Sequence, residues 1–546
     1  MPHRCRAVNF TVGRALFKRL ILHIGEFVAR NARRRPAHPA LVWQGERYSW
    51  SQLNERINRF AAVLLRLGAG PGVPIASLVD NCKELIELNF AAAKIGAIFV
   101  PIMPRSVGRE IVHVINDVGA RILVLHQDFS QAVTPVLGEM RTLDALIRIG
   151  SGDAEDLERL LHAAAADEPV GRLDPDQIGV IKYTSGTSGA PKGCARTHSQ
   201  SALAALLYAA QVPHLESDRA TISSPIAAGF ALALINCMVL GGVTIHLLPK
   251  FEALDLLETI ERERITLAYA ITSTFNAFTR HPELDRFDLS SVRLFTGNSA
   301  TQDTIQGLRR LREHPRFKGE FFNAYGSTEA GGYITYNFPE NFEEALARPE
   351  LAQRVESIGR EGYACRVECL GDDMRAVPPG EVGEMAIRAP TVFSGYWNMP
   401  EASEAVFRDG WLMTGDLALR DEAGFLYLAG RKRDMIKTGG INVYPAEVEY
   451  VLAGHAKVGE VAVVGVVDER WGEKVVACVV PRAACTAQEL LEHCVGNLAG
   501  HKRPKEIHFM DELPKNDTGK IVKNKLREVL QSGGHRNTGS PPGEKP

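Results

Sequence analysis

The stretch Tyr183-Thr-Ser-Gly-Thr-Ser-Gly-Ala-Pro-Lys-Gly193 concentrates small hydroxyl residues and glycines around one lysine, Lys192. The preceding run, Ile178–Tyr183, is rich in β-branched residues and predicts a strand. A strand that leads into such a loop brings backbone N–H groups and hydroxyls close to phosphate oxygens, because glycine permits close approach and positive φ angles. The loop is not a Walker A loop, since Lys192 is followed by glycine rather than by serine or threonine. Its candidate nucleotide-binding residues are Thr184, Ser185, Gly186, Thr187, Ser188, Gly189 and Lys192.

The size and composition of the chain limit the kinds of protein that it can be. With 546 residues it exceeds what one hydrophobic core usually supports, so two or more domains are expected. A hydrophobic content of 45% and a charged content of 23% are typical of soluble globular proteins. The net charge of −2 gives no general reason to expect nucleic acid or an anionic membrane surface as a partner.

The nine cysteines are scattered, and no arrangement of cysteines and histidines completes a zinc site. No signal peptide with a small-residue cleavage site is recognisable. The cysteines are therefore expected to be reduced thiols in a cytoplasmic protein. Residues 1–20 are basic and are expected to form an extension ahead of the first domain; a transit peptide or a membrane-surface helix is the less favoured alternative.

The segment Ser223–Leu248 has no charged residue and is long enough to cross a bilayer. However, Pro225, Gly229 and a Gly-Gly pair interrupt it. It divides into a loop, a helix over Phe230–Leu240, a turn and a strand over Val243–Leu248. Since buried elements of α/β folds are also continuously apolar, no transmembrane segment is expected.

Strand-like and helical runs alternate in the first part of the chain. Strands are predicted over Val73–Val79, Ala97–Pro101 and Arg121–Leu125, and helices over Glu84–Ile95 and Gly108–Val118. This order predicts an α/β fold with parallel sheets and right-handed crossovers.

The rest of the chain suggests further units. A surface helix is predicted within Asp153–Glu168, strands over Glu460–Val467 and Lys474–Val480, and a helix over Ala487–Val495. Turn-rich, β-rich sequence precedes Asp416. We expect an N-terminal domain over residues 1–432, a C-terminal domain over 433–531 and a disordered tail over 532–546, which is rich in Ser, Gly, Pro and Asn.

A second motif, Asn323-Ala-Tyr-Gly-Ser-Thr-Glu329, combines an amide, an aromatic ring and a carboxylate. The ring can stack on a base, the amide can accept a hydrogen bond from an exocyclic amino group, and the carboxylate can hold Mg²⁺. Two further motifs follow. In Trp411–Asp416 with Gly430-Arg431, a carboxylate and a guanidinium can bind ribose hydroxyls, and Leu513–Lys520 ends on a lysine after Thr-Gly.

In this order, the motifs resemble those of the acyl-adenylate-forming superfamily, which includes acyl-CoA synthetases, luciferases and adenylation domains of peptide synthetases. The resemblance covers about residues 20 to 531, and the segment from Gly395 to Asp416 is similar to the acyl-CoA synthetase branch. It implies a large N-terminal domain of stacked α/β subdomains with a β-barrel-like part, followed by a small mobile α/β lid domain.

The resemblance also implies roles in nucleotide binding. Tyr325 would stack on adenine and Asn323 would meet its edge, within the element that includes Gly326. The strip Gly297-Asn298-Ser299 would line the other face of adenine, although the family usually has Gly or Ala where this chain has Asn298. Asp416 and Arg431 would hold the ribose.

Catalytic roles follow from the same resemblance. Thr328 would contact phosphate and Glu329 would bind Mg²⁺. Lys520 would reach into the cleft during adenylation and neutralise charge between the attacking carboxylate and the α-phosphate. ATP and CoA are implied as substrates.

The lid domain is expected to rotate about Arg433, a position where the family usually has Asp or Lys. Rotation would withdraw Lys520 and bring Gly439 and Gly440 to the cleft, where the pantetheine arm of CoA could pass against bare backbone. Trp471 also matches the CoA-ligase version of this domain.

The acyl pocket departs from the family pattern at Ala228, where a gating histidine or aromatic residue is common. No aspartate lies near Phe230, so an α-amino acid substrate is not expected. The predicted lining is small and apolar and fits a fatty or an aromatic acid. It consists of Ala227, Ala228, Gly229, Phe230, Gly331 and Gly332.

The sequence therefore predicts an ATP-dependent carboxylic acid–CoA ligase that forms an acyl-AMP intermediate. Three alternatives stay open: an adenylating enzyme that loads a carrier protein, a non-catalytic acyl or nucleotide binder, and a luciferase-like oxygenase. The intact Lys192, Glu329, Asp416, Arg431 and Lys520 disfavour the binder.

Overall fold

The computed structural model describes residues 23–169, 173–184, 191–297, 302–515 and 521–531. Within these ranges the chain is of mixed α/β type, as the sequence predicts, and its main strands form four sheets. The expected extension over residues 1–20 and the expected tail over 532–546 lie outside the described residues.

The strands alternate with helices in the first half and cluster in the second half. They are β1 (Pro39–Trp43), β2 (Glu46–Ser49), β3 (Pro74–Leu78), β4 (Ile98–Ile102), β5 (Ile122–His126), β6 (Ala145–Ile149), β7 (Ile178–Thr184), β8 (Lys192–Thr197), β9 (Arg219–Ile222), β10 (Thr244–Leu247), β11 (Leu267–Tyr269), β12 (Leu294–Gly297), β13 (Glu320–Ser327), β14 (Gly332–Asn337), β15 (Arg360–Glu361), β16 (Arg366–Leu370), β17 (Val382–Arg388), β18 (Gly395–Tyr396), β19 (Phe407–Arg408), β20 (Trp411–Arg420), β21 (Leu426–Arg431), β22 (Ile436–Thr438), β23 (Ile441–Val443), β24 (Val458–Asp468), β25 (Gly472–Pro481) and β26 (Glu506–Phe509).

The helices cover the sheet faces. They are α1 (Gly25–Arg34), α2 (Trp50–Arg66), α3 (Lys83–Lys94), α4 (Gly108–Val118), α5 (Ser130–Val133), α6 (Leu157–His162), α7 (His198–Gln211), α8 (Phe230–Gly241), α9 (Ala253–Glu263), α10 (Thr272–Thr279), α11 (Gln302–Glu313), α12 (Pro339–Ala347), α13 (Pro400–Val406), α14 (Pro445–Ala453), α15 (Ala487–Val495) and α16 (Lys523–Gln531).

Two large sheets dominate the N-terminal part. One has seven strands in the order β18-β8-β7-β4-β3-β5-β6, and the other has nine in the order β15-β14-β13-β12-β11-β9-β10-β1-β2. A five-stranded sheet follows, β16-β17-β20-β19 with β21 beside β20. The C-terminal part has its own sheet, β23-β22-β25-β24 with β26 beside β25.

The parallel strands fix the position of the predicted motifs. Strands β7, β4, β3, β5 and β6 run parallel, and β12 runs parallel to β13 in the other sheet. Ligands of α/β folds bind outside the carboxyl ends of such strands. The predicted phosphate loop follows β7 in the sequence, with residues 185–190 outside the described ones, and the Asn323–Glu329 motif begins within β13 and runs past its end.

The largest core cluster joins both large sheets through the helices between them. Trp50, Phe60 and Phe90 of this cluster are fully buried, and Ile75 and Ile245 contribute from the two sheets. Burial of each such side chain stabilises the fold by about 1.5–3 kcal/mol.

Capping residues in the local sequence determine where two of the helices begin. Helix α2 begins with a capping box in which the Ser49 hydroxyl accepts a hydrogen bond from the Gln52 backbone N–H at 3.2 Å, and the Gln52 side chain accepts from the Ser49 N–H at 2.9 Å. Thr197 and Gln200 form the same arrangement at the start of α7. Helix α7 is thereby fixed directly after β8, next to the predicted site.

The helices predicted over Gly108–Val118 and Ala487–Val495 are confirmed at both ends. The helix predicted within Asp153–Glu168 spans Leu157–His162. The Asp156 carboxylate accepts a hydrogen bond from the Glu158 N–H at 3.0 Å and so starts the helix late.

Two structural absences hold for the described ranges. No helix there combines the length and the apolar character that a membrane crossing requires. Nor does this part of the chain contain three or more His, Cys, Asp or Glu side chains grouped as a metal site.

Candidate active site

Three strands bring the predicted adenine and ribose residues together. Asp416 on β20 lies directly opposite Arg431 on β21, and the Arg431 Nε atom is 2.7 Å from the Asp416 Oδ1 atom. The hydroxyl of Tyr325 on β13 donates a hydrogen bond to the Oδ2 atom of Asp416. Both carboxylate oxygens of a nearly buried aspartate are thus held in fixed directions. Burial and the neighbouring Asp416 charge raise the pKa of Tyr325 far above its ordinary value, so that the hydroxyl remains a donor.

Thr414 holds this pair in place. Its hydroxyl donates to the Met385 carbonyl at 2.7 Å and accepts a hydrogen bond from the Asp416 N–H at 3.0 Å. Its carbonyl accepts a hydrogen bond from Arg431 Nη1 at 3.3 Å. Thr414 lies in the quoted Trp411–Asp416 motif, but no role was predicted for it, because its contacts depend on strand pairing.

Asn323 presents an unused acceptor. Its side chain is fully buried, and its Nδ2 atom donates to the Ser357 carbonyl at 3.4 Å. Its Oδ1 atom and the nearby Thr296 hydroxyl have no hydrogen-bond partner among the described residues. Leaving such an atom unpaired costs about 1–3 kcal/mol, a cost that a bound base with an amino group would remove. Gly297 lies directly opposite Asn323 in the β12–β13 pair.

Glu329, Tyr396 and Lys192 form a second corner of the site. The Tyr396 hydroxyl donates to Glu329 Oε1 at 3.1 Å, and Lys192 Nζ lies 5.0 Å from the centre of the Tyr396 ring. Burial and the Glu329 charge raise the pKa of Tyr396 well above its usual value. Within the described ranges Glu329 has no ion-pair partner, so oxygen positions remain for a cation. One carboxylate completed by substrate phosphate oxygens is the ligand set that Mg²⁺ commonly takes.

The remaining predicted nucleotide residues fall into two groups. Thr184 ends β7, Gly326 pairs with Tyr333 across β13 and β14, and Thr328 is half-buried just beyond β13. The others lie outside the described residues: Ser185, Gly186, Thr187, Ser188, Gly189, Asn298, Ser299 and Lys520.

Four of the predicted acyl residues, Ala227 to Phe230, form the start of α8 and the turn before it. Ala227 and Ala228 form a short 3-10 turn, Gly229 follows it, and Phe230 begins the helix. The Phe230 ring meets the Tyr333 ring edge-on at 5.7 Å. Gly331 lies so close to the Thr391 carbonyl that a Cβ atom there would be 2.0 Å from its oxygen.

The structure adds a charged group beside this apolar lining. Lys182 on β7 donates a hydrogen bond from its Nζ atom to the Gly229 carbonyl at 3.2 Å. It lines a cavity that also includes Gly332 and Tyr333. Lys182 was not predicted as a site residue; the signal in the sequence is a lysine in the middle of the strand-like run Ile178–Tyr183.

In the C-terminal part, Gly439 and Trp471 lie together. The Gly439 N–H donates to the Trp471 carbonyl at 2.7 Å, and both residues line a cavity of about 210 Å³ with His501 and Lys505. Gly439 has a φ of +57°, and a Cβ atom there would lie 3.3 Å from the indole ring. Gly440 follows with open space around it. Lys505 and Arg470 flank the Trp471 ring at 5.3 and 4.8 Å, and neither basic residue was predicted as part of the site.

The two residues that flank the predicted hinge, Arg433, form ion pairs with different parts of the chain. Lys432 Nζ binds Asp372 and Glu384 of the N-terminal part, each at 3.0 Å. Asp434 binds Arg527 of the C-terminal part at 2.9 Å. Arg433 stands between them, more than half exposed.

Comparisons with known proteins identify the family of the chain. The chain matches the AMP-binding enzyme family over residues 28–397 and the AMP-binding enzyme C-terminal domain over residues 447–520. It is 33% identical over 509 residues to a feruloyl-CoA synthase of Amycolatopsis sp, covering 92% of this chain and 98% of that protein. It is 34% identical over 487 residues to a long-chain-fatty-acid–CoA ligase of Mycobacterium tuberculosis, covering 88% and 93%.

A solved structure shows the same architecture. It is that of the anthranilate CoA ligase AuaEII in complex with anthranoyl-AMP, with a TM-score of 0.84 and 28% sequence identity, covering 95% of this chain and 99% of the other. The chain therefore belongs to the AMP-binding enzyme family, and it is an acyl-CoA synthetase, that is, an AMP-forming acid–thiol ligase.

Proposed function

We propose that the enzyme joins a fatty or aromatic acid to CoA through an acyl-AMP intermediate, using the residues described above. The observation that carries the proposal is the Tyr325–Asp416–Arg431 arrangement beside the unpaired Asn323 oxygen. Together they offer an acceptor for an adenine amino group and a fixed carboxylate for ribose hydroxyls.

In the first half-reaction, an oxygen of the substrate carboxylate attacks the α-phosphorus of ATP, and the bond to pyrophosphate breaks. Lys520 would neutralise charge between the two reacting groups. Lys192, whose ammonium lies beside the Tyr396 ring, would contact the phosphates of ATP. When bound at Glu329, Mg²⁺ supplies a positive charge for the departing pyrophosphate. Thr328 would contact phosphate from the same element.

In the second half-reaction, the thiol sulfur of CoA attacks the acyl carbon, and AMP leaves. We place the pantetheine arm along Gly439, Gly440 and Trp471, where the cavity and the bare backbone leave room for it. Lys505 and Arg470 would then meet the phosphates of CoA. The lid would turn about Arg433, since its neighbours on either side bind different parts of the chain.

We also propose a division into two domains between residues 432 and 433. It is supported by the strand order, since β21 and β22 belong to different sheets.

A cytoplasmic location is proposed as well. It is supported by the eight cysteines of the described residues, all of which are free thiols.

The test is pyrophosphate release from Mg·ATP across fatty, benzoic and cinnamic acids, with and without CoA. We expect release with one acid class and a thioester only when CoA is present. Release without a thioester, but with transfer to a carrier protein, would contradict CoA as the acceptor. Absence of release with every acid would contradict the proposed substrate classes.

A further inference from the structure

A small, mostly apolar cavity lies next to the acyl pocket and contains buried positive charge. Its volume is about 30 Å³, room for about two water molecules or for the end of a longer molecule. Apolar side chains of α7 and α8 form part of its wall. Its polar residues include Lys182, Arg196, His198, Ser201, Asn89 and Asn236.

Lys182 brings an ammonium group to this cavity. The residue is only 7% exposed, and its ammonium uses one of three donors on the Gly229 carbonyl. No acidic side chain among the described residues pairs with it. The ammonium therefore lies at the wall of the acyl pocket with donors to spare.

Arg196 adds a second cation on the same face of the sheet. Lys182 lies opposite Cys194 in the β7–β8 pair, and Arg196 is two residues further along β8, so the two are diagonal neighbours about 7–8 Å apart at the backbone. The whole of Arg196 is 3% exposed. Its Nη2 atom donates to the Gln200 carbonyl at 3.1 Å, and its Nε atom has no partner within the described part of the chain.

A purely structural role does not explain this pair. Two buried cations repel each other, and each carries a desolvation cost that only an anion or good hydrogen bonds would offset. Burial lowers the pKa of Lys182 to about 7 and that of Arg196 to about 10. The neighbouring Cys194 thiol acts against both shifts, but no carboxylate of the described residues does. Both ring nitrogens of the neighbouring His198 also lack hydrogen-bond partners among the described residues. An imidazole is neutral or positive, so it offers no negative charge to compensate the two cations.

We infer that the substrate acid carries a second carboxylate, and that this distal carboxylate binds between Lys182 and Arg196. The inference rests on the proposed CoA-ligase function, since the anion must arrive attached to the acid that enters the acyl pocket. A carboxylate suits the space because its two oxygens can accept from the ammonium and from the free guanidinium N–H at the same time. Asn236 would supply a further amide at the cavity wall.

The experiment compares diacids with monoacids of equal length: adipate with hexanoate, suberate with octanoate, and terephthalate with benzoate. The enzymes are the wild type, Lys182→Met, Arg196→Met and the control Lys250→Met, whose lysine is 75% exposed. The readouts are kcat/KM for acyl-CoA formation and, separately, the melting temperature with and without each acid.

For the wild type we expect one diacid to exceed its monoacid partner in kcat/KM by at least about 100-fold, because a site built for a charged group rejects the analogue that lacks it. Lys182→Met should lower diacid activity by about 100-fold and raise monoacid activity, whereas Lys250→Met should match the wild type. The same diacid should raise the melting temperature of the wild type and not that of Lys182→Met.

A wild type that prefers every monoacid would overturn the inference while leaving the ligase function intact. So would a Lys182→Met enzyme whose diacid and monoacid activities fall equally. If no acid were turned over at all, the proposed function would fail. The melting temperatures would then decide about the anion site alone: stabilisation by a diacid that Lys182→Met abolishes supports it, and its absence refutes it.

Discussion

The hydroxyl of Tyr325 donates a hydrogen bond to the carboxylate of Asp416, and this contact joins a strand of the nine-stranded sheet to the neighbouring five-stranded sheet. Because Arg431 binds the other oxygen of Asp416, the carboxylate is oriented from two sides before any nucleotide arrives. Preorganisation of this kind lowers the cost of binding.

Replacement of Tyr325 by phenylalanine should separate two roles of this residue: the orientation of the Asp416 carboxylate by its hydroxyl and the stacking of its ring on adenine. The ring stays, but the hydrogen bond to Asp416 is lost, which for a charged acceptor is worth about 1.5–3 kcal/mol. We expect the KM for ATP to rise by roughly 10- to 100-fold with a smaller change in kcat, measured by pyrophosphate release. The exposed Tyr363→Phe is the matched control, and an unchanged KM in Tyr325→Phe would contradict the role of the contact.

Asp416→Asn should remove recognition of the ribose. The wild type should use ATP better than 2′-deoxy-ATP by roughly 10-fold, since one hydrogen bond to a charged group is lost with the deoxy analogue. In Asp416→Asn the two nucleotides should be used almost equally and both poorly. The check is the ratio of kcat/KM for the two nucleotides; a ratio that survives in the variant would show that Asp416 does not read the ribose.

Two variants, Lys520→Ala and Gly439→Leu, should each impair one half-reaction and largely spare the other. Lys520→Ala is expected to slow acid-dependent pyrophosphate release by at least about 100-fold, the usual loss when a preorganised charge is removed. Transfer of the acyl group from supplied acyl-AMP to CoA should be much less affected. Equal losses in both steps, or unchanged pyrophosphate release, would refute the assigned role of Lys520.

Gly439→Leu is expected to show the opposite pattern. The φ of +57° strains any side chain at this position, and the new one would push against Trp471. Thioester formation from supplied acyl-AMP should fall by at least about 10-fold, while pyrophosphate release without CoA should be retained. A variant that loses adenylation first would place Gly439 outside the path of CoA.

The local elements could be predicted because their signals are local. The helix Gly108–Val118 is bounded by a glutamate in its first turn and by Gly119, and the strands around Ile178 are marked by β-branched residues. Contacts across the chain could not be predicted in this way. Tyr325 and Asp416 are 91 residues apart, and their meeting depends on how two sheets pack.

The charged cavity illustrates the same limit. The β7–β8 pairing places Lys182 and Arg196 on one face of the sheet, and helices α7 and α8 close over that face. From the sequence, the small residues near Phe230 indicate an apolar pocket. That Lys182 lies at the wall of this pocket can be recognised only from the strand pairing, which the sequence does not show.

Burial of Lys182 also predicts how stability depends on pH in the ligand-free enzyme. In the unfolded chain the lysine has its ordinary pKa of 10.5, and burial, aided by the neighbouring Arg196 charge, lowers it to about 7 in the folded state. Between these values the unfolded state binds more protons, so the stability of the wild type rises with pH. Below about pH 7 the lysine is charged in both states, and the full cost of the buried ammonium, roughly 5 kcal/mol, is present.

Lys182→Met removes this cost. The stability difference between the variant and the wild type should therefore be larger at pH 6 than at pH 9 by roughly 3 kcal/mol, because at pH 9 only about 2 kcal/mol of the penalty remains. The other groups that face Lys182 do not disturb this window. Burial lowers the pKa of His198 to about 4 and that of Arg196 to about 10, and it raises the pKa of the Cys194 thiol well above its usual range.

The measurement is denaturant unfolding of both proteins from pH 6 to pH 9 without acid or nucleotide. Lys250→Met serves as the control and should follow the wild type at every pH, because its lysine is exposed in both states. A difference between Lys182→Met and the wild type that stays constant over this range would mean that Lys182 keeps one protonation state in the fold. In that case the buried ammonium would already have a counter-charge, and the cavity would have no need of an anion from the substrate.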